Sequence, residues 1–287
     1  MIRLQVPATS ANLGCGFDTL GVAWNWFNTW EVERSEANRL IEDNVEYSDP
    51  ENTLMWKAMR AAFDKAGIAP IPLSVAKDCA VPLSSGLGSS AAAIAGGLRA
   101  ANWAMDNRLS TDELVDLAAA LDGHPDNTTP ALVGGLCVCI MQEGHVLYQK
   151  LHVHPDLTFA VATADFQLST SVSRGILPDT YDRKTVVHDL SRAALMAQAL
   201  EKGRCDLLCA AADDRIHQPY RRKIIEDYDA MESLAYESGA KAFCLSGAGP
   251  TLLMMGAKDA SWIDRVGDVL PTLCPHRTLR RVTVYRG

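Results

Sequence analysis

Pro82, Leu83, Ser84, Ser85, Gly86, Leu87, Gly88, Ser89 and Ser90 run without a break into Ala91, Ala92 and the rest of an alanine-rich stretch, SSAAAIAGGLRAANWAM. No other feature constrains the fold as tightly. Alanine has the highest helix propensity, so the stretch is a helix, whereas a loop of glycines and serines cannot extend it backwards. A strand-like segment, PIPLSVAKDCAVP, precedes the loop. The chain therefore passes from strand to helix through a turn that leaves the N–H groups and positive dipole end of the helix exposed. Such a turn holds an anion, phosphate above all, with serine hydroxyls as added donors or as a magnesium ligand. On this loop alone two other readings stay open: a serine-capped turn, and the dinucleotide fingerprint G-x-G-x-x-A spelled by Gly86, Gly88 and Ala91. The fingerprint wants a buried strand directly before its first glycine and an acidic residue after a second strand. Here Pro82 and two serines intervene, and the Asp106 region continues a helix. A Walker A loop is excluded, because no lysine precedes the serines.

Elsewhere strands and helices mix. IRLQVPA and VAWNWFNTWEVER alternate like strands, while TLMWKAMRAAFDKA, residues 53 to 66, spaces apolar residues at three and four and closes at Gly67. STDELVDLAAAL is a helix with Ser110 as N-cap and Glu113 completing a capping box. GGLCVCIM and HVLYQKLHV form a hairpin around Glu143 and Gly144, and LTFAVATAD is a further strand. Helices over 186 to 202, 204 to 213 and 222 to 238 follow, with strands KAFCLSG, TLLMMGA and RRVTVYR. The sum is an α+β fold with a seam near residue 150, giving domains over 1–150 and 151–287.

Composition removes several functions. A chain of 287 residues with 48% hydrophobic content has enough apolar material for a real core, and its net charge of -8 argues against general affinity for nucleic acid or anionic membrane. No apolar run approaches the roughly 20 residues that span a bilayer, and the start resembles no secretory leader, so a cytoplasmic location is expected. The eight cysteines are scattered without CxxC pairs, which points to reduced thiols rather than disulfides or structural zinc.

Two more glycine motifs carry chemistry. VPATSANLGCGFDTLG, residues 6 to 21, presents Asn12 and Asp18 from one turn, an amide and a carboxylate suited to a polar ligand or equally to an Asx-type turn. SGAGPT, residues 246 to 251, lies between two apolar strands and by itself is a hairpin turn. Taken in this order, the three motifs resemble the GHMP kinases, the family of galactokinase, homoserine kinase, mevalonate kinase and phosphomevalonate kinase, over nearly the whole chain. VPATSANLG, DGHPDNTTPALVGG (122 to 135), SRGILPD (173 to 179), DDRIHQPYR (213 to 221) and LSGAGPT are similar to the homoserine kinases among them.

The resemblance implies an N-terminal ribosomal-protein-S5-domain-2-like α/β part with a left-handed βαβ phosphate-loop unit, and a ferredoxin-like α+β C-terminal part. It implies ATP-dependent phosphorylation of the hydroxyl of L-homoserine, in threonine biosynthesis from aspartate. ATP would lie in the loop from Pro82 to Ala92, with Ser90 and Asp116 as magnesium ligands, Asp116 standing where relatives more commonly have Glu. Arg174 and Arg221 would take the substrate carboxylate and Asp18 its ammonium. Asn12 would orient the hydroxyl, and His124, Asn127 and Gly247 would line the pocket. Mevalonate-type relatives place a carboxylate base at the position of Asn127, which cannot take a proton, so the resemblance favours positioning over base catalysis, with Asp126 beside it the tempting alternative.

Two departures stand out: Cys15 replaces the usual proline and brings a thiol near the substrate, open to alkylation, and RKIIEDYDAM follows HQPYR where relatives often turn at Pro-Gly. A kinase of another small alcohol, such as threonine or an isoprenoid precursor, and a nucleotide-binding regulator without turnover remain as alternatives. A homodimer, common in similar kinases, is left open.

Overall fold

The computed structural model describes residues 1–42 and 44–287. Its first sheet has seven strands: β1 (Ile2–Asn12), β2 (Gly16–Arg34), β3 (Arg39–Glu42), β4 (Val45–Glu46), β5 (Leu73–Asp78), β6 (Leu136–Gln142) and β7 (His145–Leu151). β2 is the spine. It pairs antiparallel with β1 along one edge, and on the other edge with β6 near its start and β5 near its end. Four helices cover this sheet: α1 (Leu54–Ala66), α2 (Ser89–Ala104), α3 (Thr111–Asp122) and α4 (Pro125–Val133). Thr53 caps α1 by accepting from the Trp56 N–H, Gly67 closes it in the left-handed conformation, and the Ser110–Glu113 capping box opens α3. Trp30, Val32, Met55, Phe63 and Leu98 fill the core between these helices and the strands.

The short α4 leads back into β6. The second sheet follows, with β8 (Leu157–Ala164), β9 (Ala242–Leu245), β10 (Leu252–Ala257) and β11 (Arg277–Val282) in the order β11-β8-β10-β9, all antiparallel. This is the ferredoxin-like arrangement. Between β8 and β9 lie α5 (Thr170–Gly175), α6 (Arg183–Lys202), α7 (Cys205–Ala212), α8 (Gln218–Arg221) and α9 (Tyr228–Ser238), and α10 (Ser261–Leu273) joins β10 to β11.

Alternate residues of β8 and β10 enter two different cores, which is why both strands read as mainly apolar rather than alternating. Phe159, Val161, Leu253 and Met255 face Trp24 of the first sheet and Leu200 of α6. Ala160, Ala162, Leu252 and Met254 face α9 and α10. The two sheets thus share a core across the expected seam, and the end of the chain returns to the first sheet, where Tyr285 N donates to Ala23 O at 2.9 Å.

One expected helix is shorter than its pattern. The 222 to 238 segment is a 3-10 turn at Arg222–Ile224, an extended Ile225, and only then α9. Ile225 is buried, and the Asp227 carboxylate is drawn to Arg277 and His276, so packing interrupts the helix. Helices α4 and α10 each contain an internal proline, which weakens their periodic signal. Among the described residues no helix is long and apolar enough to cross a membrane.

Candidate active site

The three glycine motifs meet through their own backbones. Thr9 N donates to Leu87 O at 3.1 Å, Gly247 N to Ala11 O at 3.0 Å, and Thr251 N to Ser85 O at 3.0 Å. Side chains add a relay: Trp24 Nε1 donates to Ser10 Oγ at 2.8 Å, and Ser246 Oγ donates to Gly86 O at 2.6 Å. A hydroxyl has one hydrogen, so Ser10 is the donor in the 2.6 Å contact between Ser10 and Ser246. The glycines are required by this closeness. A Cβ on Gly86 would stand 2.6 Å from Ser246 O, and one on Gly88 would stand 1.9 Å from Thr9 Oγ1, and both residues have positive φ.

Gly88 is the N-cap of α2 and makes no side-chain cap bond, so the first turn keeps free N–H groups. The serines are turned elsewhere, Ser85 and Ser89 donating to Pro82 O at 2.8 and 3.2 Å. A serine-capped turn is therefore not what forms. Ser84, Gly86, Gly88, Ser89, Ser90 and Ala91 line a groove of about 520 Å³. Pro82, Leu83, Ser85, Leu87 and Ala92 do not line it; Ser85, Leu87 and Ala92 are buried beneath the loop and shape it from behind.

The same groove gathers Asn12, Asp18, His124, Asn127, Arg174, Arg221 and Gly247, which come from both halves of the chain. Asp18 and Arg174, 156 positions apart in sequence, form a two-pronged ion pair at 2.8 and 2.9 Å. Asp18, by hydrogen bonding, pushes the Arg174 guanidinium pKa up. Arg221 is only 1% exposed and has no carboxylate partner among the described residues; it donates to the carbonyls of Ser173 and Gly247 and to His217 Nδ1. Burial, followed by repulsion from Arg174, lowers its pKa to about 10, so it is cationic at neutral pH. Asn12 Nδ2 donates to Gly247 O at 2.8 Å, and its Oδ1 accepts from Asp18 N at 3.0 Å, which sets the turn that aims Asp18. Asn127 Oδ1 accepts from Thr9 Oγ1 at 2.8 Å.

Asp116 is not in the groove. Its carboxylate accepts from Val146 N and meets the His145 ring, both at 2.7 Å, tying α3 to β7. The carboxylate beside Ser90 is Asp122, at the last turn of the same helix, which accepts from Ser90 Oγ at 2.8 Å. Burial raises its pKa, opposed by His124 and Ser90. His124 lies between two carboxylates, 3.5 Å from Asp122 and 3.2 Å from Asp126, and its pKa is raised, first by the hydrogen bond to Asp126. The alkylation expected of Cys15 also finds no support, because the thiol is buried outside the groove and burial, with Asp189 and Asp214 nearby, pushes its pKa up.

Sequence reasoning passed over Asp122, which opens the DGHPDN run, and Thr9, which lies inside the first motif. A larger cleft of about 760 Å³ between residues 150–159 and the last strand contains none of the expected site residues.

The chain matches the GHMP kinases N terminal domain over residues 53–135 and the GHMP kinases C terminal domain over 196–271. It is 45% identical to a homoserine kinase of Caldicellulosiruptor bescii over 258 residues, covering 89% of this chain and 84% of the relative. It is 39% identical to a homoserine kinase of Clostridium botulinum over 274 residues, covering 95% and 92%. Its fold is similar to the crystal structure of homoserine kinase from Cytophaga hutchinsonii, with a TM-score of 0.88 at 24% identity, covering 99% of this chain and 95% of that one.

Proposed function

Since the chain belongs to the GHMP kinase family, and to the homoserine kinases within it, we infer that its groove transfers the γ-phosphate of ATP to the hydroxyl of L-homoserine, giving O-phospho-L-homoserine and ADP. The observation that carries the substrate reading is the Asp18–Arg174 ion pair with the buried Arg221 beside it, in one groove with the phosphate loop. A zwitterion exchanges with that pair without stranding a charge: its carboxylate takes the guanidiniums and its ammonium takes Asp18. The ATP phosphates lie against the free N–H groups at the start of α2.

Magnesium takes hard oxygen donors, and Ser90 Oγ and Asp122, a carboxylate whose pKa burial raises, are such a set. These two residues would hold the ion, which supplies neutralisation of phosphate charge when bound. Asp116, engaged instead by His145 and Val146, is left out of this assignment.

No residue of the groove is placed as a dedicated base. Asn127 has no basic group, and the Asp126 carboxylate is buried and already engaged by the His124 ring at 3.2 Å. Transfer through a loose transition state needs alignment and charge stabilisation instead. Asn127, held by Thr9, and Asn12, held by Gly247, are rigid amides that line the acceptor side and keep hydrogen-bonding capacity in reserve.

The test is ADP release, dependent on magnesium, with L-homoserine beside threonine, serine, mevalonate and galactose. Release is expected with homoserine well above the others; none above the ATP-alone background with any alcohol would end the reading.

A further inference from the structure

Two guanidiniums aimed at one carboxylate repel each other, and the groove-lining Asp18 and Gly247 O account for only part of how they are held side by side. Phe17 does not line the groove, yet its ring has Arg174 Cζ and Arg221 Cζ each 5.4 Å from its centroid. On the same ring His217 is stacked, with centroids 5.3 Å apart and planes inclined by 26°. The π-face of an aromatic ring attracts cations, so one ring contacting both arginines offsets part of their mutual repulsion while fixing where each can sit.

His217 completes the arrangement. It is wholly buried, and its Nε2 is 2.8 Å from Gly14 O. A carbonyl only accepts, so Nε2 carries the hydrogen and Nδ1 is left with a lone pair, which accepts from Arg221 Nη1 at 3.2 Å. Arg221 donates from Nε to Ser173 O and from Nη1 to His217 and Gly247, and its Nη2 remains for a ligand. The turn bearing His217 is itself held by Asp214, which accepts from the backbone N–H groups of Ile216, His217 and Gln218.

We propose that Phe17 and His217 are positioning residues that fix the spacing and direction of Arg174 and Arg221, and so make the site selective for an α-amino acid carboxylate. The proposal rests on the arginines binding that carboxylate.

Steady-state kinetics of four variants test it. Phe17→Leu removes the π-face and should raise the homoserine KM about tenfold, equivalent to about 1.4 kcal/mol, with kcat and the ATP KM within about threefold of wild type. Phe17→Tyr should restore it. His217→Asn keeps an acceptor near Nδ1 and should stay within about threefold, whereas His217→Gln, whose amide reaches the Nε2 level, should lose Arg221 and raise KM about tenfold. Leu matching Tyr, Gln matching Asn, or a fall in kcat and a rise in the ATP KM alongside the lost homoserine affinity would overturn the proposal. In the wild-type protein, ¹⁵N spectra should show an unprotonated Nδ1 on His217, and a hydrogen on Nδ1 would overturn it whatever the variants do. Arg221→Ala separates the two levels: an unchanged homoserine KM there refutes the substrate reading itself.

Discussion

Asp18→Asn, measured with homoserine and with 4-hydroxybutyrate, which is homoserine without its ammonium, isolates the exchange of ion pairs. In the free enzyme Asp18 and Arg174 hold each other at 2.8 and 2.9 Å, with side chains 33% and 41% exposed. Unit charges about 4 Å apart interact by about 4 kcal/mol at an effective dielectric of 20, and the exposure of both groups cuts this to about 2 kcal/mol. Homoserine gives each partner a new counter-charge. 4-Hydroxybutyrate takes Arg174 but leaves Asp18 without a cation, so discrimination by wild type should include a factor of about 30 from this loss alone. Asp18→Asn removes both the pair and the stranded charge. The ratio of kcat/KM for the two substrates should therefore fall about 30-fold, chiefly because 4-hydroxybutyrate no longer strands a charge, while for homoserine the lost ammonium contact is offset by the ion pair that no longer has to break. A coupled ADP-release assay on both substrates reads it. A ratio unchanged within threefold would refute the reasoning, since it would mean that Asp18 does not sense the ammonium.

Ser90→Ala and Asp122→Asn should each raise the magnesium concentration needed for half-maximal rate, whereas Asp116→Asn should leave it alone and cost about 1 kcal/mol of stability through lost bonds to His145 and Val146, seen in urea titration. Asp189→Asn should stabilise the fold at pH 8 more than at pH 4: burial, then the hydrogen bond to Asp214, raises the Asp189 pKa to about 7 from 3.8. The contribution of the protonated carboxyl is thus full below 3.8 and lost as pH rises through about 7, so a melting-temperature gain independent of pH would contradict it. Because Trp24, Phe159, Leu200 and Leu253 form one core across residue 150, the chain should unfold in one transition by both fluorescence and circular dichroism, and two separated transitions would show that 1–150 and 151–287 are independent.

Much of the fold was legible because its signals are local. The capping box at Ser110, the left-handed stop at Gly67 and the hairpin at Glu143 and Gly144 each depend on a few neighbouring residues. The break at Ile225 was not legible, because a distant Arg277 pulls on Asp227. Nor was the carboxylate beside Ser90. Asp116 and Asp122 both lie on α3, six residues and so roughly 240° apart around its axis, and the pattern of α3 says which residues face each other but not which face meets α2.

What the sequence by itself determined was the set of parts: a phosphate-type loop running into a helix, two further glycine turns, and an amide, carboxylate and arginines of the kind that bind an amino acid. Glycine conformation and helix propensity are properties of short stretches, so they survive without a fold. The tertiary structure decided the pairings. It joined Asp18 to Arg174, gave Ser90 to Asp122 instead of Asp116, buried Arg221 without a carboxylate, and set both arginines against Phe17. Those choices follow from packing two sheets on a common core, which brings residues more than a hundred positions apart within hydrogen-bond distance, where electrostatics and desolvation then act.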